Sequence, residues 1–128
     1  MANWTASDIP PQTGRTAVVT GTGGIGFQTA LALARAGASV IVAGRNAAKG
    51  AVAVEQVRRE VPAANVRFGA VDLASLESIE TFADTLRRSH GGLDLLVNNA
   101  AVMAPPRRLE TSNGFELQFG TNHLGHFA

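Results

Sequence analysis

One junction constrains this chain more than any other. The β-branched run Thr16-Ala17-Val18-Val19-Thr20 passes directly into Gly21-Thr22-Gly23-Gly24-Ile25-Gly26, and apolar residues follow at Phe27, Ala30, Leu31 and Ala34. The run suits a strand buried on both faces, and the 3–4 spacing after it suits one face of a helix. Gly21, Gly23 and Gly26 fit the pattern G-x-G-x-x-G. In that pattern the first glycine permits a tight turn, the second lets a pyrophosphate approach the backbone, and the third lets helix and strand pack closely. The helix start then offers free N–H groups and a partial positive charge to phosphate. A strand before and an amphipathic helix after favour this reading over an ordinary glycine-rich turn.

The alternation continues downstream. Gly37 ends the first helix, and Ser39 to Ala43 reads as a second strand. Ala47 to Val61 predicts a helix with Ala47, Ala51, Val54, Val57 and Val61 inward, closed by Pro62. Val66 to Val71 is a third strand. Ser75 then caps a third helix whose inner face is Leu76, Ile79, Phe82, Ala83 and Leu86, and Gly91-Gly92 ends it. Leu93 to Val97 predicts a fourth strand running into Asn98-Asn99. Pro105-Pro106 marks a loop, and Thr111 to Ala128 predicts the start of another helix with Phe115, Phe119 and Leu124 inward. Uninterrupted strand–helix alternation implies right-handed crossovers and a parallel sheet covered on both sides. The expected architecture is therefore α/β, a Rossmann-type doubly wound parallel sheet truncated after about four strands. Residues 1–15, with Pro10-Pro11, read as an extended lead-in anchored by Trp4, and residues 16–128 as one incomplete nucleotide-binding domain.

Composition narrows the function classes. A chain of 128 residues with 45% hydrophobic and 16% charged residues is one globular domain rather than a disordered segment. A net charge of +1 gives no reason to expect nucleic acid or an acidic membrane as partner. Without cysteine there is neither a disulfide nor a thiolate metal site. The N-terminus lacks a basic start followed by an apolar stretch, and no apolar run approaches the ~20 residues of a membrane span. A cytoplasmic location is the default expectation.

The ends of the strands carry the chemistry. An NAD site usually places an acid about 20 residues beyond the glycines, where it accepts from the ribose hydroxyls. Here that stretch is Val42-Ala43-Gly44-Arg45-Asn46, with no acid. Arg45 suits bidentate contact with a 2′-phosphate instead, which favours NADP(H) over NAD(H); the bland alternative is a solvated arginine at a helix start. Asp72 follows the third strand at the edge where ligands of such sheets lie. It could accept from an adenine amino group, or it could form the turn before Ser75. Asn98-Asn99 ends the fourth strand at the same edge, where short amides hold the loop or touch a cofactor. His123 and His126 stand three apart on the last helix. With no carboxylate or thiol partner at suitable spacing, they read as solvent-facing or core histidines rather than a metal pair.

Taken together these motifs resemble the short-chain dehydrogenase/reductase family, from Gly14 onward. They run in order through Thr20-Gly21, Gly24-Ile25-Gly26, Asp72-Leu73, Asn98-Asn99-Ala100 and Asn122 within Gln118 to Phe127. The last stretch, with Val102-Met103-Ala104-Pro105-Pro106 before it, is most similar to the retinol-dehydrogenase-like and protochlorophyllide-reductase-like branch. The resemblance implies that Gly21, Thr22, Gly23, Gly24, Ile25 and Gly26 line the pyrophosphate. It implies that Arg45 meets the adenosine-ribose phosphate, Asp72 and Leu73 the adenine, and Asn98 and Ala100 the nicotinamide half. Asn122 would be the catalytic asparagine that holds the water of a proton relay.

Three departures qualify that picture. The glycine turn is one residue shorter than the family's usual T-G-x-x-x-G-x-G. Ala101 stands where a glycine usually follows Asn98-Asn99-Ala100, a costly change if the position needs a positive φ. The family's serine and Tyr-x-x-x-Lys lie downstream of Asn122, and this sequence contains no tyrosine. The expectation is the N-terminal part of an NADP(H)-dependent oxidoreductase of carbonyl or alcohol substrates, inactive alone. The alternatives are a catalytically silent dinucleotide-binding module and a non-functional truncated remnant. A sheet edge left uncovered would also favour self-association.

Overall fold

Side chains alternate between the two faces of nearly fully buried strands, and this sorts the core into two layers. The computed structural model describes residues 3–128, so Met1 and Ala2 of the expected lead-in lie outside the described residues. The elements run β1 (Thr16–Thr20), α1 (Gly24–Arg35), β2 (Ser39–Gly44), α2 (Ala47–Glu60), β3 (Val66–Ala70), α3 (Leu76–Ser89) and β4 (Leu95–Val97). A π-helical segment, Phe119–Leu124, then runs into a short α4 (Gly125–Phe127). All strand pairings are parallel, in the order β3-β2-β1-β4. Val19, Val40 and Val42 face α1 and α2, where they pack with Ala30, Leu31, Ala53 and Val57. Val18, Ile41 and Ala43 face the other way, toward Ile79 of α3. The sheet is thus covered on both faces, as the alternating sequence predicts.

The order places the chain's reversal between β1 and β4. The first three strands step outward on one side of β1, and β4 returns to its other side. A crevice opens at such a switch point, beyond the C-terminal ends of the strands. The register brings Thr20, Ala43 and Gly69 level across β1, β2 and β3, so the segments leaving these strands emerge side by side.

Several packing expectations are corrected. In α2 the inward residues are Gly50, Ala53, Val54 and Val57, while Ala47 and Ala51 are exposed and Val61 is half-buried. The helix is turned to bring Gly50 onto the Phe68 ring, which leaves no room for a side chain at that position. Leu76 is exposed at the start of α3, and Ile79 is that helix's one buried residue. β4 starts at Leu95 rather than Leu93, because the Asp94 carboxylate accepts from the Thr16 N–H at 2.8 Å and sets the strand's entry. The last helix begins near Leu117, not Thr111. Its inward positions are Gly120, Thr121 and Gly125, with Phe115 and Phe119 exposed and Leu124 half-buried. Small residues are required there: a Cβ on Gly125 would lie 2.3 Å from the Leu73 carbonyl oxygen.

The lead-in is not anchored by Trp4, which is 71% exposed. Gln12 holds it instead. Its backbone N–H donates to the Ala36 carbonyl at 2.7 Å, and its side chain is buried against Pro10 and Arg15. The lead-in also contains a 3₁₀ turn at Ala6–Asp8. The end of α1 behaves as expected. Gly37 takes φ +94°, and the N–H groups of Gly37 and Ala38 donate back to the carbonyls of Ala34 and Leu33.

The contact between α2 and β3 gives a direct check. A Cβ on Gly50 would lie 2.1 Å from Cδ2 and 2.6 Å from Cγ of Phe68, atoms that cannot yield without moving the ring's attachment. Gly50→Ala is therefore expected to destabilise the chain by roughly 1–3 kcal/mol, outweighing the helix-propensity gain of about 1 kcal/mol. A denaturant midpoint equal to or above that of the parent would show that the ring is free to move.

Candidate functional site

The segments that leave β1, β2, β3 and β4 enclose a cleft of about 210 Å³ at the switch point. Gly21 and Thr22 form one wall. Gly44, Arg45 and Lys49 form the second, Asp72 and Leu73 the third, and Ala100 to Val102 with Thr121 the fourth. Of the residues the sequence singled out, Gly21, Thr22, Arg45, Asp72, Leu73 and Ala100 are brought together here. Gly23, Gly24, Ile25 and Gly26 stand at the adjoining start of α1. Asn98 lies elsewhere, lining an apolar cavity between α3, β4 and the last helix. Asn122 lies next to Thr121 on that helix and does not line the cleft.

The shortened glycine turn is ordered by two close approaches. Gly21 has φ +100°, and a Cβ there would sit 2.7 Å from Asn99 Nδ2. At Gly26 the same nitrogen would be 2.4 Å away, with the Gly21 carbonyl oxygen at 3.3 Å. Asn99 therefore fills the inside of the turn, and only glycine fits on either side of it. Gly23 and Gly24 face open space instead, with Gly23 as N-cap and Gly24 at φ +56°. Among the described residues nothing accepts from the N–H groups of Gly24, Ile25 and Gly26. Three unpaired donors at a helix start, beside open backbone, are an arrangement whose chemistry suits an anion.

Thr20 ties this turn to β4. Its hydroxyl accepts the N–H groups of both Asn99 and Ala100 at 2.9 Å, and its carbonyl accepts from Asn99 Nδ2 at 2.9 Å. Asn99 therefore serves the loop. Ala101 carries no backbone strain: the positive-φ non-glycine residue among those described is Ala104, at 48°. The methyl group at position 101 simply adds to the wall of the cleft.

The second and third walls supply charge. Arg45 is exposed and makes no ion pair among the described residues, and neither does Lys49 in the first turn of α2. Asn46 caps α2 by accepting the Lys49 N–H at 2.9 Å. Lys49, Val71, Ala101, Val102 and Thr121 line the cleft without having been expected from the sequence as cofactor contacts. Lys49 lies in the first turn of α2, just after the Arg45-Asn46 segment that leaves β2. Asp72 has a turn role, because its Oδ1 accepts the Ala74 N–H at 2.9 Å, and it also faces the cleft. The two sequence readings of Asp72 are compatible.

The fourth wall is held by the last helix. Asn122 grips Val102 at two points: Oδ1 accepts its N–H at 2.7 Å and Nδ2 donates to its carbonyl at 2.8 Å. Gln118 Oε1 accepts the Ala104 N–H at 2.9 Å. Glu116 caps the helix, accepting the N–H groups of Phe119 at 2.8 Å and Gln118 at 3.0 Å. His123 is exposed and stacked on Phe119, whereas His126 is half-buried against Thr20. No cluster of three potential metal ligands exists among the described residues, and no helix there is long and apolar enough to cross a membrane.

The comparisons with known proteins agree with this geometry. The family model described as short chain dehydrogenase matches residues 15–128. Mouse retinol dehydrogenase 13 is 50% identical over 115 residues, covering 89% of this chain and 34% of its own length. Mouse polyprenol dehydrogenase is 48% identical over 120 residues, covering 93% of this chain and 36% of its own. Among solved structures, an uncharacterized protein from Mycobacterium paratuberculosis superposes with a TM-score of 0.84 at 45% identity, over 97% of this chain and 43% of that one. L-sorbose reductase from Gluconobacter frateurii, crystallised with NADPH and L-sorbose, gives 0.67 at 32% identity, over 73% of this chain and 36% of that one. The chain thus spans little more than a third of the length of the curated relatives it matches.

The Glu116 cap predicts a pH dependence. The Phe119 N–H, and after it the Gln118 N–H, hold the Glu116 carboxyl below the ordinary glutamate value. A lowered folded-state pKa contributes stability that is present above the unfolded value and lost as pH falls through the folded one. Helical signals for residues 117–127 are therefore expected to weaken on acidification through that range, and less so in Glu116→Gln. A Glu116 carboxyl that titrates at the ordinary value by NMR would contradict the capping role.

Proposed function

The chain belongs to the short-chain dehydrogenase family, and from that membership we propose that it is the dinucleotide-binding part of an NADP(H)-dependent oxidoreductase of carbonyl or alcohol substrates. The observation that carries the cofactor preference is the second wall of the cleft. Arg45 and Lys49 stand there without acidic partners, where an NAD site would place a carboxylate. The residues present fit a phosphorylated dinucleotide. The free N–H groups of Gly24, Ile25 and Gly26 receive the pyrophosphate, and the open backbone at Gly23 and Gly24 lets it approach. Arg45 offers its guanidinium fork to the ribose phosphate. Asp72, oriented by the Ala74 N–H, presents its carboxylate to the base.

When bound, the nicotinamide supplies or takes up the hydride. The chain's own residues bind and orient. Asn122 fixes the wall at Val102 through its side-chain amide, and it is the residue that would hold a relay water. These 128 residues contain no tyrosine to act as the family's phenol acid. We accordingly read the chain as a binding unit that does not reduce carbonyl compounds unaided.

The test is Arg45→Ala, titrated with NADPH and NADH. The variant should lose about tenfold in NADPH affinity, equal to about 1.4 kcal/mol, with NADH binding unchanged. Equal losses for both dinucleotides, or none for either, would remove the 2′-phosphate from the reading.

A further inference from the structure

The half-buried imidazole of His126 bridges two groups that the sequence sets more than a hundred residues apart. Its Nδ1 lies 2.9 Å from the Asn122 carbonyl oxygen, and its Nε2 lies 2.8 Å from the Thr20 hydroxyl. A carbonyl can only accept, so Nδ1 carries the proton. At the other end, the Thr20 oxygen already accepts the N–H groups of Asn99 and Ala100. Those two donors fill its lone pairs, so its own hydrogen turns to Nε2. The Val97 carbonyl at 3.4 Å is the poorer target. Both ends therefore demand the same neutral tautomer, with Nδ1 protonated. The opposite tautomer would set a ring lone pair against a carbonyl and place a third donor on the hydroxyl.

We propose that His126 is a positioning residue, fixed as the Nδ1–H tautomer, that couples the helix carrying Asn122 to the root of the glycine turn. The donors run head to tail from the Asn99 and Ala100 amides to Thr20, from Thr20 to His126, and from His126 to Asn122. Such chains polarise one another and gain strength where the surroundings are apolar. The ring lies at the end of a cavity of about 160 Å³ walled by Val18, Val71, Leu73, Ile79 and Phe82, with no charged side chain in its lining. A shift of the Asn122 turn is thereby transmitted to Thr20, and from Thr20 to both the β4 loop and Gly21. The structural part of this inference is independent of any cofactor. Its effect on affinity rests on reading the glycine turn as a dinucleotide site.

Nitrogen-15 long-range correlation spectra of the whole chain read the tautomer directly. His126 should show a pyrrole-type Nδ1 and a pyridine-type Nε2 at neutral pH, while exposed His123 favours the Nε2–H form. An Nε2–H tautomer at His126 would overturn the inference. Three variants separate positioning from bulk. His126→Asn keeps a donor near the Nδ1 position, His126→Gln keeps an acceptor near Nε2, and His126→Phe keeps neither. The Asn99 and Ala100 amide resonances should move most in the Phe variant and least in the Gln variant. NADPH affinity should fall about tenfold in the Phe variant, with the other two in between. A folded Phe variant with unmoved amides would overturn the coupling. If the variants fail to fold, the tautomer in the parent chain decides, and if NADPH does not bind, tautomer and amide shifts still decide.

Discussion

The Thr20 hydroxyl is the contact on which the site depends. Parallel pairing joins β1 to both β2 and β4, yet β4 contributes only three residues, and its last pair is Val19 with Val97. Beyond that point the β4 loop stays beside β1 because one hydroxyl accepts two of its N–H groups and the Asn99 amide returns to the Thr20 carbonyl. The same Asn99 nitrogen fills the inside of the glycine turn. A serine or threonine is needed for the double acceptance, and glycines are needed for the close approach. Strand end, loop and turn are thus a single packed unit, and the first and fourth walls of the cleft are fixed with respect to each other by chemistry rather than by length of sheet.

The shortened turn makes sense in this light. Removing a residue between strand and helix does not disturb Gly21 or Gly26, because both are held against Asn99 from within. The outer side, at Gly23 and Gly24, keeps its open backbone and the free donors that follow it. Ala101 is tolerated for a related reason: its backbone needs no positive φ, so its Cβ costs nothing in strain.

Much of the fold was legible because periodicity reports burial. Val18 and Val19 sit on opposite faces of the sheet, as adjacent residues of a strand must, and the 3–4 spacing in α1 placed Ala30, Leu31 and Ala34 correctly. The failed readings of α2 and of the last helix share one cause. Large apolar residues were assigned inward wherever a helical period allowed, but α2 and the last helix approach their neighbours through Gly50, Gly120 and Gly125. A glycine contact has no hydrophobic signal, so periodicity rotates the helix wrongly and leaves Ala51 or Phe119 facing the core on paper. The positions of Gly21, Arg45 and Asp72 in the cleft were legible because strand ends and turn chemistry locate them. Thr20 and His126 were not, since their roles depend on partners about eighty and a hundred residues away.

On the proposed function, the cleft beyond β1, β2 and β3, with the start of α1, holds a phosphorylated dinucleotide. Amide chemical-shift mapping of the uniformly labelled chain during titration with NADPH addresses it most directly. Saturable shifts are expected at Thr22 to Gly26, at Arg45 and Lys49, and at Asp72 and Leu73, with the apolar cavity around Leu96 undisturbed. Shifts centred on that cavity, or no saturable change at the glycine turn, would contradict it.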